Sequence, residues 1–217
     1  MPAGDRAGGC RGGFVAVVGP SGAGKDTLLA GARRRLADDP GFHFARRIVT
    51  RPPDPDLEDH DSLDREAFLA AHRAGAFCLT WEAHGLLYGL PDELTGIYLA
   101  GGTIVANVSR AALPAIQARF TRLHVIEITA STAVLRRRLL SRGRESPEEV
   151  ERRLARSAPR AAIDAAHTCE SIDNSSDRAT AESAFMAALR RCAAAAANDG
   201  GGPASGGRAP SSTACEA

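Results

Sequence analysis

With 217 residues, a formal net charge of +1, 44% hydrophobic and only 5% aromatic side chains, the chain can bury one α/β core and carries no global field to gather nucleic acid. No stretch approaches the length of a membrane span and the opening MPAGDRAGGCRGG lacks the apolar run of a secretory signal, so a cytoplasmic protein is expected. The cysteines at 10, 78, 169, 192 and 215 show no CxxC pairing, which argues against a zinc site and a disulfide framework.

Residues 1–12 are rich in Gly and Ala and predict a disordered tail. Phe14 to Val18 (FVAVV) then reads as a buried parallel strand, and Thr27 to Ala37, with leucines at 28, 29 and 36, as a helix. Phe44 to Val49 predicts a second strand. The stretch that follows is rich in Pro and Asp, with a helix near Asp64 to Arg73 and strand-like pieces at 77–81 and 86–88. It is too long for an ordinary connection, so 52–92 is expected to be an inserted substrate-binding subdomain.

Thr103 to Asn107 (TIVAN) and His124 to Thr129 (HVIEIT) predict two more strands. Ser131 is a cap for a helix running to about Arg142, with Gly143 as its stop, and Ser146-Pro147-Glu148-Glu149 is a strong helix start. The span 138–156 is dense in arginine and is expected to act as a lid. Residues 193–217, Ala/Gly/Ser-rich, read as a second tail. The expectation is one α/β domain, residues 13–192, with a doubly wound parallel sheet whose core is 13–51 and 93–192.

Between the first strand and helix stands Gly19-Pro20-Ser21-Gly22-Ala23-Gly24-Lys25-Asp26-Thr27. Glycines let a backbone wrap around phosphate oxygens with its N–H groups inward, and the helix N-terminus adds a favourable dipole, so residues 19–27 predict a P-loop that binds ATP. Lys25 is the only lysine among 27 Lys plus Arg, as expected where a slim ammonium is required. Asp26 occupies the position where a P-loop usually offers a hydroxyl to Mg²⁺. A carboxylate is a hard oxygen ligand, so Asp26 is the candidate metal residue, directly or through water, with the Thr27 hydroxyl as the alternative one residue later.

Several further segments resemble the guanylate kinase family: Thr50-Arg51-Pro52 after the second strand, Tyr88-Gly89, Arg138-Leu139-Leu140-Ser141-Arg142-Gly143, and Arg153-Leu154. The resemblance implies a guanylate-kinase-like fold in which Arg51 and Tyr88 hold the acceptor's phosphate. It also implies that Arg138, Arg142 and Arg153 close over the ATP phosphates. The segment that reads guanine in that family is replaced here by PPDPDLEDHDSLDREAF.

The departures match another branch. GPSGAGKD, Glu58-Asp59-His60, Thr80-Trp81-Glu82-Ala83-His84-Gly85, Asn107 with Ser109-Arg110, and RGRE at 142–145 closely resemble the ribose 1,5-bisphosphate phosphokinases of the PhnN family. That resemblance implies ATP and Mg²⁺ as cofactors and phosphorylation of a small sugar bisphosphate to 5-phosphoribosyl 1-diphosphate during phosphonate breakdown. Nucleic acid and membranes are not expected as partners. Arg110 joins Arg51 and Tyr88 as an acceptor-phosphate candidate, while Glu58, His60, Glu82 and His84 are candidates for the ribose hydroxyls. Trp81 is expected to pack, and Asp173 and Asn174 to shape the adenine pocket. A nucleoside monophosphate kinase and a catalytically inactive binding module remain the competing readings.

Overall fold

Phe14–Val18 (β1) is buried at every residue because both faces of its sheet are covered. Phe14, Ala16 and Val18 enter one hydrophobic cluster, while Val15 and Val17 enter a second on the opposite side. This split follows from the two-residue period of a strand. The structure, a computed structural model, describes residues 12–51, 60–83, 85–141, 143, 146–155 and 168–198.

After β1 come helix Lys25–Arg35 (α1), strands Phe42–Phe44 (β2), Arg47–Val49 (β3) and His60–Ser62 (β4), helix Arg65–Arg73 (α2), and strands Phe77–Ala83 (β5) and Leu86–Pro91 (β6). Helix Glu93–Leu99 (α3), strand Thr103–Asn107 (β7), a 3₁₀ turn at Arg110–Ala112 and helix Leu113–Arg119 (α4) follow. The chain continues through Leu123–Thr129 (β8), Thr132–Ser141 (α5), Pro147–Ala155 (α6), Thr168–Asp173 (β9) and Arg178–Asn198 (α7).

The first sheet has five strands in the order β2-β7-β1-β8-β9, every neighbouring pair parallel. Val17 lies opposite Asn107, and Val18 opposite Glu127. The carboxyl ends of the central strands are therefore level, which in an open parallel sheet is where ligands bind. The second sheet, β4-β3-β6-β5, is mixed: β3 and β4 are parallel, and β6 is antiparallel to both its neighbours. Phe68 of α2 stacks on Phe77 at 4.7 Å between ring centroids, covering the second sheet's outer face. Leu79, Trp81 and Leu90, on its other face, join the same cluster as Phe14 and Ile104 of the first sheet.

Local signals placed several helix ends, although α1 spans Lys25–Arg35, two residues ahead of the Thr27 to Ala37 expected. Asp64 Oδ1 accepts from the Ala67 N–H at 2.7 Å and caps α2. Ser146 and Glu149 form a reciprocal capping box at the start of α6. Gly143, with φ +62°, follows the end of α5 in the left-handed conformation that favours glycine.

Three expectations need correction. The strand expected over Phe44 to Val49 is two strands in different sheets: Ala45 N–H still bonds Val105 O in the first, and Arg47 opens the second. Both pieces suit a half-buried strand, so composition alone hid the break. The second sheet accordingly begins ahead of residue 52. At the amino end, Gly12 is no tail residue: it is buried, donates to Tyr98 O at 2.8 Å, and its backbone lies so close to Gly102 O that a Cβ would meet it at 1.8 Å.

At the carboxyl end α7 runs to Asn198 instead of stopping before 193. Alanine has the best helix propensity, so a run of it extends a helix that is already anchored. The anchor is the buried set Phe185, Leu189 and Cys192, whose larger members each contribute roughly 1.5–3 kcal/mol by burial.

Candidate active site

The loop between β1 and α1 is held by contacts that only glycine permits. A Cβ on Gly19, at φ +146°, would lie 2.1 Å from Ile128 O. One on Gly24, at φ +92°, would lie 2.4 Å from Asn174 Nδ2. The loop is thus wedged between the ends of β8 and β9. Asn174 is buried and donates from Nδ2 to Ala23 O at 2.7 Å. Arg138, on α5, donates to Gly22 O and Ala23 O at 3.3 Å each and to Asn174 O at 2.9 Å. Lys25 Nζ donates to Gly19 O at 2.8 Å and Pro20 O at 3.0 Å, so the ammonium lies across the loop it belongs to.

At the far end of the loop Asp26 is half-buried and Thr27 exposed. Of the two metal candidates, Asp26 is the one turned toward β7: its Oδ1 accepts from Asn107 Nδ2 at 2.8 Å. No group of three or more His, Cys, Asp or Glu able to hold a metal occurs among the described residues. Asp26 stands in the first turn of α1, where the helix dipole favours a carboxylate.

Arg110, in the turn after β7, donates to Glu127 Oε1 at 2.6 Å. Glu127 is buried on β8, so this arginine counters a carboxylate of the cleft wall. Losing one partner of such a pair costs about 3–5 kcal/mol. The turn itself packs against β5.

Strand register defines the inner face of the second sheet. Ser62, Val49, Tyr88 and Trp81 are consecutive cross-strand partners across all four strands of the second sheet, so their side chains share one face. Arg47 and His60, two residues earlier on their strands, share it too. Tyr88 and Trp81 stack at 5.2 Å between ring centroids and 8° between planes, and the Arg47 guanidinium lies 6.0 Å from the Tyr88 centroid. Among the described residues, Arg51 Nε, Ser62 Oγ, Trp81 Nε1 and Ser109 Oγ are buried polar atoms without a hydrogen-bond partner. Buried donors of this kind are normally satisfied, so their concentration on this sheet and on the turn beside it marks a place for a polar ligand.

Glu82 is not part of that face. It alternates with Trp81, is exposed and lies on the other side of β5, which revises its expected contact with ribose. Glu58, His84 and Arg142 lie outside the described residues, as does the side chain of Arg153 on α6. Sequence reasoning missed Arg47, Ser62 and Glu127 as site residues, and it treated Trp81 as packing alone. Trp81 does pack at 8% exposure, but with an unsatisfied indole N–H. The signal for Arg47 was a cation inside an otherwise apolar strand, RIV.

A parallel sheet with a glycine-rich loop at the carboxyl end of β1, a second sheet beside it and arginines on α5 together define a P-loop kinase of guanylate-kinase-like fold. The guanylate kinase of Anaplasma phagocytophilum has a similar solved structure, with a TM-score of 0.57 at 17% identity, covering 88% of this chain and 87% of that one. The chain belongs to the ribose 1,5-bisphosphate phosphokinase (PhnN) family and is a kinase. It is 48% identical over 183 residues to the ribose 1,5-bisphosphate phosphokinase PhnN of Brucella melitensis, covering 84% of this chain and 94% of that protein. It is 44% identical over 180 residues to the protein of the same name from Agrobacterium fabrum, covering 83% and 97%. No protein-family model matches the chain.

Proposed function

We propose that the chain transfers the γ-phosphoryl group of ATP to the anomeric phosphate of ribose 1,5-bisphosphate, forming 5-phosphoribosyl 1-diphosphate, as a cytoplasmic step of phosphonate catabolism. The observation that carries this reading is the preformed loop of residues 19–25 set beside a sheet face with unsatisfied polar atoms, in a chain of this family. Among the described residues no helix is long and apolar enough to cross a membrane.

In this reading the loop N–H groups and Lys25 receive the triphosphate, Lys25 exchanging the carbonyls of Gly19 and Pro20 for phosphate oxygens. The second sheet, β3 to β6, is the acceptor-binding unit. Arg51 and Tyr88 take the acceptor phosphates, and His60, Ser62 and the Trp81 N–H the sugar's hydroxyls. Arg138, already bonded to the loop carbonyls of Gly22 and Ala23, joins Arg142 and Arg153 in closing over the ATP phosphates. Mg²⁺ held at Asp26 supplies charge neutralisation across the transferred phosphoryl group. The acceptor phosphate is already an anionic nucleophile, so this chain's residues need to align it and balance charge, not to remove a proton.

The test is a coupled assay offering ribose 1,5-bisphosphate and GMP in parallel. Formation of 5-phosphoribosyl 1-diphosphate with little GMP turnover is the expected result. GMP as the far better acceptor, with no such product, would overturn the reading.

A further inference from the structure

In the common P-loop arrangement, Mg²⁺ is held by the loop's Ser or Thr together with an aspartate from a core strand. Here the two chemistries are interchanged. The loop position carries the carboxylate, Asp26, and the end of β7, the strand beside β1, carries the uncharged Asn107. The two side chains are joined directly, Asn107 Nδ2 donating to Asp26 Oδ1 at 2.8 Å. An ionised carboxylate only accepts hydrogen bonds, so the amide must present its NH₂ to Asp26. Asn107 is 7% exposed and held in register opposite Val17, which leaves it little freedom to turn away.

Resting on the kinase reading above, we propose that Asp26 and Asn107 form an interchanged metal-holding pair. Asp26 carries the charge toward Mg²⁺, and Asn107 is the positioning residue that fixes its carboxylate beneath the triphosphate. Neutrality at 107 follows from the surroundings. A second carboxylate against Asp26 would add like-charge repulsion where the triphosphate enters. The amide replaces that repulsion with a charge-assisted hydrogen bond. Asn107 therefore acts on the metal through Asp26, without having to touch either substrate.

An isosteric exchange tests the pair. Asp26→Asn alone should lower Mg²⁺-supported turnover about a hundredfold, while the affinity for a non-hydrolysable ATP analogue in EDTA does not fall and rises if anything, because a carboxylate is removed from beside the metal-free triphosphate. Asp26→Asn combined with Asn107→Asp keeps total charge, volume and the hydrogen bond while reversing its direction, and should recover about tenfold or more of the loss. The gain in analogue affinity on adding Mg²⁺, measured by calorimetry, should fall and recover in the same order. Asn107→Ala, which is less demanding for folding, should raise the Mg²⁺ concentration needed for half-maximal turnover about tenfold. A double variant no better than Asp26→Asn, or Asn107→Ala with unaltered Mg²⁺ dependence, would overturn the pairing. Failure of the wild-type protein to phosphorylate ribose 1,5-bisphosphate would sink the function reading instead, and the calorimetric Mg²⁺ coupling would still be measurable.

Discussion

The loop end of the cleft and the acceptor face of the second sheet differ in how their polar atoms are satisfied. Around the loop, Lys25, Asp26, Arg138 and Asn174 are bonded to the loop's own carbonyls or to neighbouring strand ends. On and beside the acceptor face, Arg51, Ser62, Trp81 and Ser109 each keep a buried polar atom without a partner. One region is completed by the fold, and the other keeps buried donors open. Triphosphate binding should therefore depend on a preset backbone, and acceptor selectivity on how well a ligand satisfies the remaining groups.

The largest expected effect falls on the loop. Lys25→Ala should lower kcat about a thousandfold, because it removes the chain's only lysine from developing charge. A loss of less than tenfold would show that the loop's backbone alone suffices. Arg51→Ala should come next, lowering kcat/KM for the sugar bisphosphate about a hundredfold with little change in ATP-analogue affinity. Equal losses for both substrates would erase the distinction between the two regions.

Smaller again is the cost of loosening the wedge behind the loop. Gly24→Ala forces a Cβ into the 2.4 Å contact with Asn174 at φ +92° and should cost about 1–3 kcal/mol of stability by thermal denaturation. Asn174→Ala removes the bond to Ala23 O and should cost about 1–2 kcal/mol while raising KM for ATP. If Asn174→Ala leaves KM for ATP unchanged, the loop does not need its brace.

The loop and the helix caps are legible in sequence because their chemistry is local: a glycine at a left-handed position, an acid three residues from its N–H. Asp26 could be singled out the same way, but not its partner, since Asn107 is 81 positions distant and only the β1–β7 pairing joins them. The face that carries Trp81 depends on register across four strands, which local sequence does not reveal, and Glu82, one residue later, falls on the opposite side. One residue along a strand reverses the face. The break at Ala45-Arg46 escaped because changing sheets leaves no compositional mark, and the end of α7 because alanine suits a tail and a helix equally.

The smallest effect uses two thiols, one in each region. Cys78 lies on β5 of the second sheet and Cys192 on α7 behind the first, both buried. Burial pushes the Cys78 thiol up to about 11 and the Cys192 thiol to about 12, from an ordinary value of 9.0. The sign follows: the unfolded chain loses these protons first, so this contribution to stability is intact below about pH 9 and declines as pH rises toward 11 and 12. At neutral pH both thiols should react with a thiol reagent only through opening of the structure. With Cys10, Cys169 and Cys215 replaced by Ser, Cys78 should label faster than Cys192 in the free protein, because its sheet holds the face that awaits a ligand. Ribose 1,5-bisphosphate with a non-hydrolysable ATP analogue should slow Cys78 several-fold and leave Cys192 nearly unchanged. Equal rates at both thiols, slowed equally by ligand, would mean that the two sheets open as one unit and that the unsatisfied face carries no separate flexibility.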